Sequence, residues 1–308
     1  MISRQKIKEI NEMLEDDLSV EQIAKNLEVA IESASRYIRL VKSTTKRVRK
    51  ALKILVLDIE TAMMKIETWG ILYKQRPQPH QIIEEWFCLA WAAKWLFDNN
   101  VMSDILTPEE TSCRDDKRIM KNLWNLIDEA DIIIGHNVAN FDLRKSNARF
   151  IKHGLFPPMS YQIIDTLKIA KKNFAFSAYT LDYLCNLFNL SRKLETNYKL
   201  WKDCLSGDKT ALKNMNTYNI QDVLSTEELY LVLRPWIKSH PNLGLYGDFI
   251  GNVCPNCRGT NFQMKGYYYT PAGRFESGRC NDCGAIFRLG QSDLEKEERK
   301  DLFRSVAR

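Results

Sequence analysis

KILVLDIETAMM, residues 53–64, decides how this chain is read. Its apolar run ILVL reads as a strand entering a core, and the strand then ends in two acids, Asp58 and Glu60. Side chains alternate along a strand, so these carboxylates share a face while Ile59 points the other way. Two carboxylates held close repel unless one is protonated or a cation lies between them. The pair by itself leaves two readings open: a metal site, or strand-end acids that cap the next helix.

Working outward, strand-like and helix-like stretches alternate from Ala51 to about Pro241. ALKILVLDI, EEWFCLAWAAKWLF and VMSDIL are expected to be strands. DKRIMKNLWNLIDEA is an amphipathic helix leading into the strand DIIIGHN, and FDLRKSNARFIKHG is a further helix before the short strand YQIID. Helices then run through TLKIAKKNF, LDYLCNLFNL and the long ALKNMNTYNIQDVLSTEELYLVLRPW. Strands first, then alternation with helices, implies a mixed α/β sheet with helices packed on it.

Two more acids stand at chosen places in this pattern. Asp142, in NVANFD, lies where the chain turns from the strand DIIIGHN into a helix; a helix N-cap would also place an Asp there. Asp222, in TYNIQDV, follows Tyr218 by four residues, which puts phenol and carboxylate on one helical face. A surface Tyr–Asp pair would do the same. Singly these readings are open; the four acids together favour a metal site.

The set resembles the DEDD superfamily of 3′→5′ exonucleases, the DnaQ-like branch of the ribonuclease H fold. LDIET matches its first motif, NVANFD its second (Asn137, Phe141, Asp142) and YNIQD its third, Y-x3-D, the mark of the tyrosine subclass. A histidine subclass would need His at position 217, which is Thr217. The resemblance covers roughly residues 51–240. It implies a ribonuclease H-like mixed α/β sheet flanked by helices; helical periodicity over residues 3–42 adds a small all-α N-terminal domain, and paired cysteines near the other end add a C-terminal zinc ribbon. The layout also looks like that of phage or bacterial proteins joining this nuclease to a zinc ribbon.

The chemistry suits the residue types. Two hard divalent cations about 3.5–4 Å apart can serve both ends of an in-line displacement at phosphorus, and Mg²⁺ or Mn²⁺ takes oxygen ligands. The resemblance implies that Asp58, Glu60, Asp142 and Asp222 hold the ions, with Asp58 bridging both and Tyr218 orienting the attacking water. The implied products are 5′-mononucleotides. Thr61, His136, Asn137 and Phe141 are candidate contacts to nucleic acid. Asp165 in IIDT is read as the structural cap of the following helix.

The flanks extend this reading. SVEQIAKNLEVAIESASRYIR resembles a helix-turn-helix, with Ser19 and Gln22 as a capping box and Glu28 where the turn usually has Gly. Arg36 and Arg39 on its last helix would face a groove or phosphates; a small bundle for protein contact is the alternative. From Ser33 to Leu57 there are eight Lys or Arg and no acid, suiting a polyanion within a chain of net charge +6. CPNC and CNDC place Cys254, Cys257, Cys280 and Cys283 as a closed structural Zn²⁺ site. Between them, Tyr268 and Arg274 belong to an aromatic and basic stretch suited to single-strand stacking, or to a plain β-hairpin.

The domains expected are 1–46, helix-turn-helix-like with a basic linker; 47–245, the exonuclease module; 250–291, the zinc ribbon; and 292–308, a charged tail. No leader or membrane span is visible, since the N-terminus is charged and WFCLAWAAKWLF is interrupted by Lys94. That points to the cytoplasm (the host's, if the protein is viral) and to no membrane partner. The expected partner is nucleic acid, DNA before RNA, alongside a replication or repair protein of unspecified identity. A transposase or integrase and a non-catalytic DNA-binding protein are the rival classes.

Overall fold

The computed structural model describes residues 9–10, 12–14, 16, 18–31, 33–35, 38, 52–70, 78–191, 196–247, 251–271 and 273–303. The chain divides into two compact units, Met1–Ala51 and Leu52–Arg308. In the first unit, α1 (Val20–Asn26) opens on Ser19, whose side chain caps Gln22 while the Gln22 side chain returns the bond. The capping box is therefore as expected. Ile10, Ile23 and Ile38 form the core of this unit. Glu28 has φ 51°, the left-handed conformation that a glycine would take without strain. Arg36 and Arg39 lie outside the described residues.

The second unit is built on a five-stranded sheet of order β5-β4-β1-β6-β7, the strands being β1 (Ile54–Thr61), β4 (Cys88–Trp95), β5 (Val101–Ile105), β6 (Ile132–Gly135) and β7 (Gln162–Asp165). Short β2 (Lys65–Ile66) and β3 (Ile82–Glu84) pair with each other. β1 runs antiparallel to β4 and parallel to β6, so the sheet is mixed. Helices α2 (Pro108–Cys113), α3 (Lys117–Glu129), α4 (Asp142–Lys152), α5 (Thr166–Asn173), α6 (Leu181–Leu187), α7 (Tyr198–Leu205) and the 25-residue α8 (Lys209–Leu233) flank it.

The two faces of β1 feed two cores. Leu55, Leu57 and Ile59 pack with Ile119, Met120 and Leu123 of α3 and Leu143 and Phe150 of α4. Ile54 and Val56 pack instead with Val223 and Tyr230 of α8. A strand buried on both faces needs a continuous apolar run, which is what ILVL supplies. Gly135 lets β6 approach closely: a Cβ there would lie 2.9 Å from the Leu57 carbonyl oxygen and 2.6 Å from Val138 Cβ. One buried ion pair crosses between sheet and helix, Lys94 of β4 with Glu227 of α8; Glu227 also accepts from the Phe97 N–H.

Residues 251–303 carry a second sheet of three strands, β8 (Phe262–Thr270), β9 (Gly273–Cys280) and β10 (Ile286–Arg288), ordered β10-β9-β8. It is not a separate unit. Leu243 N donates to the Pro255 carbonyl, and Asn256 Nδ2 donates to the carbonyl of Arg234, just past the end of α8. The charged α9 (Lys296–Lys300) follows. Among the described residues no helix is long and apolar enough to cross a membrane.

Candidate metal centre and cleft

Parity along β1 carries the acids to their place. Asp58 and Glu60 continue the face of Ile54 and Val56, the one turned toward α8. The parallel pairing of β1 with β6 ends at Val56 and Ile134, so the acids lie beyond the carboxyl end of that neighbour, where open α/β sheets leave a crevice. Asp222 comes in from α8, and single carboxylate oxygens of Asp58, Glu60 and Asp222 all lie within 4.8 Å of one another. Three hard oxygen donors converging in this way suit a Mg²⁺- or Mn²⁺-type cation, which would offset their mutual repulsion.

Asp142 takes a different position. It is the first residue of α4, with Phe141 at the cap, so it is not the N-cap itself. Its Oδ1 accepts from Ile59 N at 3.0 Å, the backbone position between the two β1 acids. Only 2% of it is exposed. Burial pushes its carboxyl up to about 7; the Ile59 N–H and its own backbone N–H oppose this, and the Asp165 charge adds to it.

Asn219 was not foreseen. Fully buried on α8, it donates from Nδ2 to Asp58 Oδ2 at 2.6 Å and so orients that carboxylate. A signal was available, since Asn219 precedes Asp222 by three residues and shares its helix face. Tyr218 is 4% exposed and meets the Trp201 ring edge-on, with centroids 6.0 Å apart.

A cleft of about 520 Å³ opens on the acids, lined by Asp58, Asp222, His136, Asn137, Lys171 and Tyr179 among others. His136 pairs through Nδ1 with Thr166 Oγ1 and through Nε2 with the Tyr179 carbonyl, each at 2.9 Å. The carbonyl can only accept, so Nε2 carries a proton. Asn137 stands at φ 69°, and its N–H donates to Asp165. Asp165 also accepts from Ala139 N and caps α5 through Lys168 N, the structural role expected of it. Thr61 closes β1 past an irregularity in the pairing with β4. Phe141 is 36% exposed, with Lys145 Nζ 5.2 Å from its ring centre, and is not part of the core.

The four paired cysteines also converge. Cys254 Sγ lies 3.6 Å from Cys283 Sγ, and Cys257 Sγ lies 3.6 Å from Cys280 Sγ. A tetrahedral Zn²⁺ with Zn–S of about 2.3 Å requires sulfurs about 3.8 Å apart, so the donor set fits. The two Cys-x-x-Cys turns have the same form. Arg258 N bonds to Cys254 O and Gly284 N to Cys280 O, both at 2.9 Å, with φ 66° and 77° at the two turn residues. This four-cysteine cluster fits a zinc ribbon.

Residues 96–234 match a family model, RNase_H_2, of the RNase_H superfamily. With the mixed sheet and its flanking helices, this defines the module as a ribonuclease H-like α/β domain, a fold class whose acidic site suggests nuclease-type chemistry. The match takes in Asp142, Tyr218, Asn219 and Asp222 and begins after β1, so Asp58 and Glu60 join the site through the fold. No curated protein matches the chain.

Proposed function

We propose that the protein is a metal-dependent 3′→5′ exonuclease that hydrolyses the terminal phosphodiester bond of a nucleic acid, DNA before RNA, and releases 5′-mononucleotides. The observation that carries this reading is the convergence of Asp58, Glu60 and Asp222, with Asp58 gripped by Asn219. Asp58, Glu60 and Asp222 would hold Mg²⁺ or Mn²⁺, with Asp142, bonded to the β1 backbone at Ile59 N, completing the acid set. When bound, such ions lower the pKa of water and stabilise charge on the leaving oxygen.

The chain's own residues have separable tasks. Asn219 fixes the rotamer of Asp58. Asp165 and the left-handed Asn137 shape the loop that delivers Asp142. Lys171, at the cleft, suits a phosphate as a point charge. Tyr218, one turn before Asp222, would orient the attacking water. His136, with both nitrogens engaged, braces the cleft wall. The helix-turn-helix and its basic segment would supply contact to duplex DNA.

The test uses end-labelled oligonucleotides, DNA and RNA, with free or blocked 3′ ends, with Mg²⁺ or Mn²⁺ and with chelator. Mononucleotide release from free 3′ ends alone supports the proposal. Internal cuts or strand joining would move the protein to the transposase class, and binding without cleavage to a non-catalytic role.

A further inference from the structure

The three-stranded sheet of the ribbon has two unlike faces. Cross-strand pairing sets Tyr268 opposite Phe275, Arg279 opposite Ile286, and Arg288 opposite Ser277. By alternation these side chains occupy one face, while Tyr267, Tyr269, Arg274, Glu276 and Cys280 occupy the other. The second face also shows aromatic surface, Tyr267 and Tyr269 being 48% and 69% exposed, but its cation is paired. At one end it carries the four-cysteine cluster, with Phe262 packed edge-on against Phe287 at 5.3 Å. At the other, Arg274 is held by Asp293, with Nε and Nη2 2.7 and 2.6 Å from one carboxylate oxygen. Arg274 is therefore neutralised, and it does not share a face with Tyr268.

The first face is the one that carries exposed arginines. Tyr268 is 51% and Ile286 64% exposed. The Arg288 guanidinium lies 4.0 Å from the Phe275 ring centre and 5.8 Å from that of Tyr268. Arg279 and Arg288 are exposed, and their guanidinium groups bond to the carbonyls of Gly284 and Leu289. Among the described residues no carboxylate pairs with either arginine, and the nearby acids Glu276 and Asp293 belong to the other face. An exposed phenol beside guanidinium groups with no countercharge is complementary to a stacked base flanked by phosphates.

We infer that this face binds single-stranded nucleic acid, with a base on Tyr268 and phosphates on Arg279 and Arg288. The binding surface is independent of the acid cluster; only its use in feeding a substrate rests on the nuclease reading.

The whole 308-residue chain is titrated, without added divalent metal, into 3′-blocked fluorescent single strands of about twenty deoxy- or ribonucleotides, read by anisotropy. Tyr268→Ala is expected to weaken binding about tenfold or more, and Tyr268→Phe, which keeps the ring, to leave it near wild type. Arg288→Ala should lower the slope of log K against log salt by about 0.7. Tyr269→Ala, on the opposite face, should change nothing. Zinc content near one per chain in each variant shows an intact ribbon.

Equal losses for Tyr268→Ala and Tyr269→Ala, or no loss for Tyr268→Ala with zinc retained, would overturn the inference. So would an equal loss of duplex binding, which would mean a general phosphate surface. Deoxy and ribo strands report the preferred sugar, and tight Tyr268-dependent binding of either supports the platform. Cleavage of a dinucleotide should be untouched by Tyr268→Ala. If no variant or wild-type protein cleaves while Tyr268-dependent binding persists, the nuclease reading fails and the platform stands.

Discussion

Asn219 and Asp58 are 161 residues apart in the chain and 2.6 Å apart in space. A fully buried amide that points a carboxylate into a cleft acts through its partner, so it is a positioning residue. On the proposed reading, Asn219→Ala lowers kcat about 10–100-fold and raises the Mg²⁺ needed for half-maximal rate, the usual cost of losing an outer partner of a metal ligand. Asp58→Asn or Asp222→Asn should abolish hydrolysis while leaving binding to a 3′-blocked oligonucleotide largely intact. Near-normal turnover in either variant would remove that acid from the site. Asp142 gives a separate test by pH. Its carboxyl is pushed up to about 7 from an ordinary 3.8, mainly by burial. The protonated form is thus favoured by folding: its contribution is full below about pH 4 and is lost as pH rises through 7. Without added metal, Asp142→Asn keeps an acceptor for Ile59 N and should flatten the fall in Tm between pH 5 and 8. An unchanged fall would show that another group is responsible.

At the scale of elements, α8 binds the module together. It packs its apolar side on β1, carries Asn219 and Asp222 to the cleft, and is tied to β4 by the Lys94–Glu227 pair, both members under a tenth exposed. Removing one partner of a buried ion pair strands the other charge. Glu227→Ala is therefore expected to cost about 3–5 kcal/mol, and Lys94→Met with Glu227→Leu to recover most of it; denaturant melts of the three variants decide this. The helix start at Ser19 was legible because a capping box is a four-residue pattern. The five main strands, and of the helices α3 to α6 and α8, were legible from period and length. The short α2 and α7 were not, although α5 and α6 are about as short. Tertiary contacts hold helices of about two turns, so their own pattern is a weak signal. The positive φ of Glu28 shows the backbone taking the turn conformation without its usual glycine. Glu28→Gly should stabilise the first unit by about 1 kcal/mol, and calorimetry of the whole chain would show an unshifted first transition if it does not.

For the whole molecule, the ribbon and the nuclease-like module form one compact unit, because one Cys-x-x-Cys turn hydrogen-bonds to the segment that follows α8. Loss of the four-cysteine cluster should therefore be felt in the larger module. Cys283→Ser is expected to lower zinc content and, by loosening the seat of α8, to lower the Tm of the entire second unit. Two separated transitions with the upper one unmoved would show the ribbon to be an appendage. The sequence by itself determined the acids on β1, their shared face, the Tyr–Asp turn of α8 and the spacing of the four cysteines. Strand alternation, helical pitch and ligand spacing are local rules that need no knowledge of distant chain. Tertiary structure alone decided that Asn219 grips Asp58, that Asp142 reaches the backbone between the β1 acids, and which ribbon arginine finds a carboxylate. Those outcomes depend on which remote segments pack together and what each then covers, and no local period encodes that.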